Sequence, residues 1–522
     1  MNAAEEIKLM LLARYPLLWV VSPEEPTAER VLASVAIANK SQIYFWDFAR
    51  GWNDTGAAKG NPMQGLERVG KASPNQSAMF VMKDLATCIA PGTNGQIAAN
   101  QLSIVREIKN LAAEIVKDKR SILLVSHQLR LPSELKEETT VIDLELPDVG
   151  EIDSIVTKLV DGRSKLEPPE WEQLIAACQG LTRTRIARVL SKSLTKTLKI
   201  NSSTIASVIE EKRQTIRETG ILEFIPANTL MESGLKCIGG LENLKQWVRL
   251  RSDNFTKEAR EYGLPAPKGL LLAGIQGTGK SLSAKTIAAE WKLPLLRLDV
   301  GRLFGGIVGE SEANTRQAIK LAEAIAPCVL WIDEVDKAFG NLTSGTDGDS
   351  GTSRRVFGSL ITWMQEKTSP VFVVMTANNV EVLPAEFLRK GRLDELFFVH
   401  LPNQKEREEI WGVHLCRIRP DRFTNCEFDF ELLASHSKDF SGAEIEQCIY
   451  EAMQEAFSVG CEFKEQDLLD AISECVPLAQ IAQPQIQALK EWALRVGARS
   501  ASREHNEIPE SRMLSPLEVD FN

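Results

Sequence analysis

A chain of 522 residues exceeds one ordinary hydrophobic core, so two to four domains are expected. Its 43% hydrophobic and 25% charged residues exclude wholesale disorder and a disulfide scaffold, and a formal net charge of -10 disfavours nucleic acid as a general partner. The nine cysteines contain no C-x-x-C pair and read as reduced thiols, the five histidines contain no H-E-x-x-H, and no apolar run approaches the ~20 residues of a membrane span.

In chain order, "MNAAEEIKLMLLARYPLLWVV" carries Glu5 and Glu6 where a secretory signal would be basic, and it does not read as a leader. "YPLLWVVSPEEPTAER" is an apolar strand followed by Glu24, Glu25 and Pro26 at a turn into a helix. "SAMFVMKDLATCI" is a second apolar strand, ending in Lys83 and Asp84. "SILLVSHQLRLPSELKEETTVIDLELPD" contains two more strands, and "LIAACQGLTRTRI" is helical. Residues 201–235 read as a charged helix and a polar connector.

The second half opens with "CIGGLENLKQWV" and then "KGLLLAGIQGTGKS", a strand running into G-x-x-x-x-G-K-S with a helical stretch behind it. Backbone N–H groups must turn inward around phosphates, which side chains at Gly274, Gly277 and Gly279 would obstruct. Lys280 supplies charge to the outer phosphates and Ser281 a hydroxyl for Mg²⁺. "CVLWIDEVDKAF" is a buried strand ending in Asp333 and Glu334, where Asp333 can hold Mg²⁺ through water and Glu334 can polarise an attacking water. "PVFVVMTANN" ends in Asn378 and Asn379, either of which could present an amide to a terminal phosphate; a turn-forming pair is the other reading. Arg389 and Arg392 follow, three apart and on one face if helical. After Pro477 come an amphipathic helix, "PQIQALKEWALRVGA", and a polar tail.

The two halves match in order at a separation of roughly 250 residues, a domain-sized period. The first keeps the strands but has acidic residues in place of the phosphate loop and no Gly-Lys-Ser.

With these motifs in order, residues 237 to about 475 resemble the AAA ATPase family, in the branch of membrane-protease, severing and remodelling ATPases. The resemblance implies an α/β fold: a P-loop NTPase parallel sheet with a C-terminal helical lid, preceded by a degenerate AAA-like α/β domain. The expected boundaries are 1–200 for the degenerate domain, 201–235 for the connector, 236–400 for the ATPase subdomain, 401–476 for the lid and 477–522 for the terminal helix and tail. It implies ATP and Mg²⁺ as cofactors, with nucleotide contacts from Ile238, Gly239, Gly274, Ile275, Gln276, Gly277, Thr278, Gly279, Lys280, Ser281, Leu282, Gly442 and Ala443. Ser281 and Asp333 are the implied metal residues, Glu334 and Asn378 the catalytic ones. Arg389 and Arg392 would reach a neighbouring subunit's site, which makes a homo-oligomeric ring of six the expected assembly and a protein client its expected partner.

Two departures stand out. Ile275-Gln276 replaces a usual Pro-Pro, and Ile307, followed by Val308 and Gly309, takes the place of an aromatic in the threading loop, with Phe304 three positions earlier. The polar stretch after the acidic strand would face the central channel, and Arg354 and Arg355 behind it could contact the next subunit or simply begin a solvated helix. The whole arrangement resembles AAA proteins of cyanobacterial and algal plastid genomes, implying a cytoplasmic or stromal location and a duty in photosynthetic metabolism. A nucleotide-gated binding platform that threads nothing is the alternative.

Overall fold

The computed structural model describes residues 3–92, 96–160, 166–230, 234–304, 310–337, 350–383, 391–424 and 427–503. The chain divides into two units, one up to Lys212 and one from Arg213 onward.

The first unit holds a six-stranded sheet of β1 (Leu17–Val21), β2 (Gln42–Asp47), β3 (Gly51–Trp52), β4 (Ala78–Met82), β5 (Arg120–Ser126) and β6 (Thr139–Asp143). Their order is β3-β2-β4-β5-β1-β6, with only β2 and β3 antiparallel. Alternate residues of these strands feed two separate cores, Trp19, Phe80 and Leu124 on one face and Val20, Val81 and Leu123 on the other. Burial on both faces is why the strands read as continuous apolar runs. Helices Val149–Val160, Pro168–Cys178 and Arg183–Thr197 form a further cluster around Ile152, Leu174, Ile186 and Leu190.

The second unit has seven strands: β7 (Leu222–Ile225), β8 (Gly269–Gly274), β9 (Leu295–Leu298), β10 (Cys328–Ile332), β11 (Val371–Ala377), β12 (Glu395–Val399) and β13 (Arg499–Ser500). The order is β13-β12-β8-β11-β10-β9-β7, and β7 alone pairs antiparallel. Setting aside β3, β7 and β13, the run β2-β4-β5-β1-β6 of the first sheet has the same crossover order as β9-β10-β11-β8-β12 of the second. Two strands differ from the sequence reading. β7 lies in the stretch read as connector, and β13 lies in the stretch read as tail, where Asn243 clamps it by donating from Nδ2 to the carbonyls of Ser500 and Ser502 at 3.0 and 2.9 Å. A lid of helices Gln404–Ile418, Phe430–His436, Gly442–Ser458 and Glu465–Glu474 packs around Trp411, Phe440, Ile449 and Phe463.

The turn between β1 and helix Glu25–Ala38 contains only residues 22–24, against 275–279 between β8 and helix Lys280–Glu290. Glu24, 5% exposed, fills this shortened turn. Its carboxylate accepts the backbone N–H of Thr184 at 2.7 Å and that of Arg183 at 3.1 Å, at the start of helix Arg183–Thr197. The Arg183 guanidinium lies 3.6 Å away and also pairs with Glu151. These are donors that a helix N-terminus leaves unsatisfied and that favour negative charge. Burial works to raise the Glu24 pKa, but the bonds from Thr184 and Arg183 outweigh it and hold the carboxyl below its ordinary range. Beside it, Lys83 binds Glu29 at 2.8 Å and Glu25 at 3.1 Å, so the lysine at the end of β4 is committed within the protein.

Because the folded-state pKa of Glu24 is depressed, its stabilisation is present above the unfolded value near 4.5 and is lost as pH falls through the folded value. Glu24→Gln is therefore expected to cost about 2 kcal/mol at pH 7. Its urea unfolding, followed by circular dichroism from pH 7 down to pH 3, should show a smaller acid-induced loss than the parent; identical pH profiles would contradict the assignment.

Candidate active site

The phosphate loop is built by the close approach of β8 to β12. Gly274, at φ +153°, lies where a Cβ would sit 2.2 Å from the Val399 carbonyl oxygen, so no other residue fits without moving the strand. Gly277, at φ +79°, faces the lid, and a Cβ there would be 2.8 Å from Ser441 Oγ. Lys280, 6% exposed, donates from Nζ to the carbonyls of Ile275 at 2.6 Å and Gly274 at 2.9 Å. Burial pushes its pKa down to about 8, opposed by the negative charges of Asp336, Asp333 and Glu334. Ile275 is buried, and its carbonyl also accepts from Thr278 Oγ1 at 2.7 Å, while Gln276 lines the cleft. The loop thus closes on itself through the backbone carbonyls of Gly274 and Ile275, with no proline at 275 or 276.

At the carboxyl end of β10, Asp333 Oδ1 accepts from Ser281 Oγ at 2.9 Å and from Thr376 Oγ1 at 2.6 Å. Glu334 has a left-handed backbone, φ +50°, uncommon for a residue with a long side chain. Its N–H donates to Thr376 Oγ1 at 2.9 Å, and the next N–H, of Val335, donates to the Thr376 carbonyl at 2.9 Å. Asn378 Nδ2 donates to Glu334 Oε1 at 3.2 Å, and Lys337 pairs with the other oxygen of Glu334. Asp336, 7% exposed, accepts the backbone N–H groups of Asn378 at 3.1 Å and Asn379 at 3.0 Å. Arg297 of β9 lies 3.8 Å from Asp333 Oδ2 and stacks on Trp331 at 4.9 Å from the ring centroid.

These groups border a cleft of about 400 Å³, large enough for a nucleotide. Its far wall is apolar and comes from Ile238 and Gly239, from Ile410 and Val413 of helix Gln404–Ile418, and from Gly442 and Ala443 at the start of helix Gly442–Ser458. Ala443 N–H donates to the Gly277 carbonyl at 3.1 Å, tying lid to loop. Glu409 accepts the Gly240 N–H at 2.7 Å and Glu406 the Leu241 N–H at 3.1 Å, fixing the entry segment against the lid. His414, Arg417 and Glu446 form the polar rim. Burial lowers the His414 pKa, with Glu446 opposing and Arg417 adding to the shift.

Of the residues expected from sequence, Ile238, Gly239, Gln276, Gly277, Thr278, Gly279, Lys280, Ser281, Leu282, Asp333, Glu334, Asn378, Gly442 and Ala443 all line this cleft. Gly274 and Ile275 sit behind it as the carbonyl acceptors of Lys280. The backbone amides of both Asn378 and Asn379 bond Asp336, but only the Asn378 side chain bonds Glu334. Arg392 does not line the cleft. Arg389, Ile307, Val308 and Gly309 lie outside the described residues, as do the side chains of Phe304, Arg354 and Arg355.

The sequence reading missed Thr376, Asp336, Arg297 and the helix face of Ile410, Val413, His414 and Arg417. That face has an i, i+3, i+4, i+7 spacing and was legible as a stripe. Thr376 is the penultimate residue of β11, two before Asn378.

The donors present suit magnesium. Ser281 Oγ and an Asp333 carboxylate oxygen are hard oxygen ligands 2.9 Å apart, beside the helix N-terminus that would receive phosphate. Among the described residues no cluster of three or more His, Cys, Asp or Glu side chains could hold a metal. Two protein oxygens completed by phosphate and water are what Mg²⁺ uses.

Family models match the chain in three places. Residues 3–144 match the N-terminal domain of SpoVK-like AAA ATPases, and residues 150–219 match the second domain of that group. Residues 270–401 match the ATPase family associated with various cellular activities (AAA). The uncharacterized AAA domain-containing protein ycf46 of Guillardia theta is 44% identical over 96% of this chain and 97% of its own length. Its namesake in Pyropia yezoensis is 43% identical over 96% of this chain and the whole of its own length. The ATP-dependent zinc metalloprotease FtsH of Parabacteroides distasonis is 33% identical, but over 46% of this chain and 36% of its own. Matched over 96% of its length by such relatives, to which it is similar, and carrying the AAA model on the strands and loops that form the cleft, the chain belongs to the AAA ATPase family.

Proposed function

We propose that the protein binds Mg-ATP in this cleft and hydrolyses it as a homo-oligomeric ring, a hexamer as the family resemblance implies, to remodel a protein partner. The observation that carries the proposal is the continuous hydrogen-bonded set Ser281–Asp333–Thr376–Glu334–Asn378 next to a closed phosphate loop. Lys280 and the backbone amides of the loop bind and orient the phosphates. Ser281 and Asp333 would hold magnesium, which would supply charge neutralisation on the phosphate oxygens. Glu334 accepts the proton of an attacking water, Asn378 fixes that carboxylate, and the lid excludes bulk water. Arg389 and Arg392 act on the site of a neighbouring subunit, as the family resemblance implies. The setting we favour is the cytoplasm, or the stroma of a plastid, within photosynthetic or carbon metabolism.

A second reading has the ring act as a nucleotide-gated binding platform that pulls nothing. Ile307 favours it, since grip on an extended chain depends on large flat side chains, and so does a first unit whose loop position is filled by Glu24.

Lys280→Ala is expected to abolish ATP binding, whereas Glu334→Gln should bind ATP normally and hydrolyse it about 10²- to 10⁴-fold more slowly. Isothermal titration and phosphate release separate the two; equal turnover in Glu334→Gln and parent would remove Glu334 from the chemistry. Turnover per subunit should rise with protein concentration as mass measurements show assembly, and fall about 10³-fold or more in the double variant Arg389→Ala/Arg392→Ala. A concentration-independent rate in a monomer, indifferent to both arginines, would instead support the platform.

A further inference from the structure

We infer that Thr376 is a positioning residue for hydrolysis, its hydroxyl setting the metal-side carboxylate and the proton-accepting residue in register with each other. The inference rests on the hydrolytic reading above and adds to it the device by which Asp333 and Glu334 are held. Thr376 is 1% exposed, near the end of the fully buried strand β11. A hydroxyl has one proton to donate and lone pairs to accept. That of Thr376 donates to Asp333 Oδ1 at 2.6 Å and accepts the Glu334 N–H at 2.9 Å, so both capacities are used. Its backbone carbonyl takes the following N–H, of Val335, at 2.9 Å.

Two successive amides after Asp333 are thereby bound to a single residue, across the one place where β10 leaves its extended course. Glu334 needs that hold. A left-handed backbone at a residue with a long side chain persists only where its surroundings determine it. The side chain of Glu334 then meets Asn378 Nδ2 at 3.2 Å, and Asn378 is the first residue beyond β11, two after Thr376. The β11 end thus grips Glu334 twice, by its amide through Thr376 and by its carboxylate through Asn378. Asp333 Oδ1 receives both the Thr376 and the Ser281 hydroxyls, so the same bond that sets the Glu334 backbone also fixes the carboxylate next to Ser281.

The test compares Thr376→Val, which keeps the shape and removes the hydroxyl, with Thr376→Ser, which keeps the hydroxyl and removes a methyl, in the full chain. The measurements are steady-state ATP turnover, ATP affinity by calorimetry with Mg²⁺ and with EDTA, and the thermal unfolding midpoint. The expected result is a fall in kcat of about 10²-fold for Thr376→Val at little-changed KM, the size of an impaired acid–base contribution. ATP affinity in EDTA should stay within threefold of the parent, the gain in affinity on adding Mg²⁺ should shrink, and Thr376→Ser should recover turnover to within severalfold. Turnover in Thr376→Val equal to the parent's overturns the inference, as does a Thr376→Ser variant as impaired as Thr376→Val. If Thr376→Val does not fold, Thr376→Ala removes the same hydroxyl and carries the same expectations against Thr376→Ser. A parent chain that hydrolyses no ATP once assembled defeats the proposed function itself, whereas an active parent with an equally active hydroxyl-free variant defeats only the role of Thr376.

Discussion

The amides at the start of a helix need acceptors, and in both units that requirement fixes how the helix following the sheet meets the strand ends. Helix Gly442–Ser458 satisfies it through a capping box, Ser441 with Glu444, and through the bond from Ala443 to the Gly277 carbonyl. Helix Arg183–Thr197 satisfies it through the Thr182 side chain and the carboxylate of Glu24. One arrangement keeps the lid on a loop whose remaining amides are turned toward a cleft. The other consumes an anion from the chain itself at the equivalent strand end.

The strand ends are held still by what lies beneath them. Trp291 packs edge-on against Phe372 at 4.6 Å, and Trp247 contacts both Phe372 and Phe397, so aromatic residues brace β11 and β12 from one face. Fully buried side chains of this size contribute roughly 1.5–3 kcal/mol each. Such a core deforms little, and it carries Asp333, Thr376 and Asn378 on neighbouring strands at hydrogen-bonding distance. The start of β8 is pinned as well, since Asp394 accepts the N–H groups of Lys268 at 2.6 Å and Gly269 at 2.9 Å. Braced strands beneath and a hydrogen-bonded lid above thus frame the cleft from both sides.

Much of this was legible in the sequence because parallel strands buried on two faces leave apolar runs that polar residues do not interrupt. "KGLLLAG", "CVLWI" and "PVFVVM" announce themselves, and each is followed by residues that line the cleft. β7 and β13 were not legible, since a four-residue and a two-residue strand join a sheet through backbone bonds with little apolar signature. Glu24 reads from the sequence only as an acidic residue in place of a phosphate loop; that it serves as an acceptor for a helix 160 positions later has no local signal. Thr376 was hidden for a different reason. A single hydroxyl in an apolar strand usually caps nothing, and only the register of β10 against β11 brings it to Asp333. The base-side wall was recognisable at Ile238, Gly239, Gly442 and Ala443, whereas its helix face from Ile410 to Arg417 shares the same stretch with Trp411 and Leu415 of the lid core, so the apolar pattern alone does not say which face meets a ligand.

The shortened turn at Glu24 also bears on how such a chain can change over time. Replacing Glu24 with glycine would loosen the turn but strip two helix amides of their acceptor, and inserting loop residues while Glu24 remained would leave a buried carboxylate in the path of any phosphate. Each half of a repair is harmful without the other. No single substitution at this turn therefore gives the first unit a phosphate loop: the helix acceptor and the loop length have to change together.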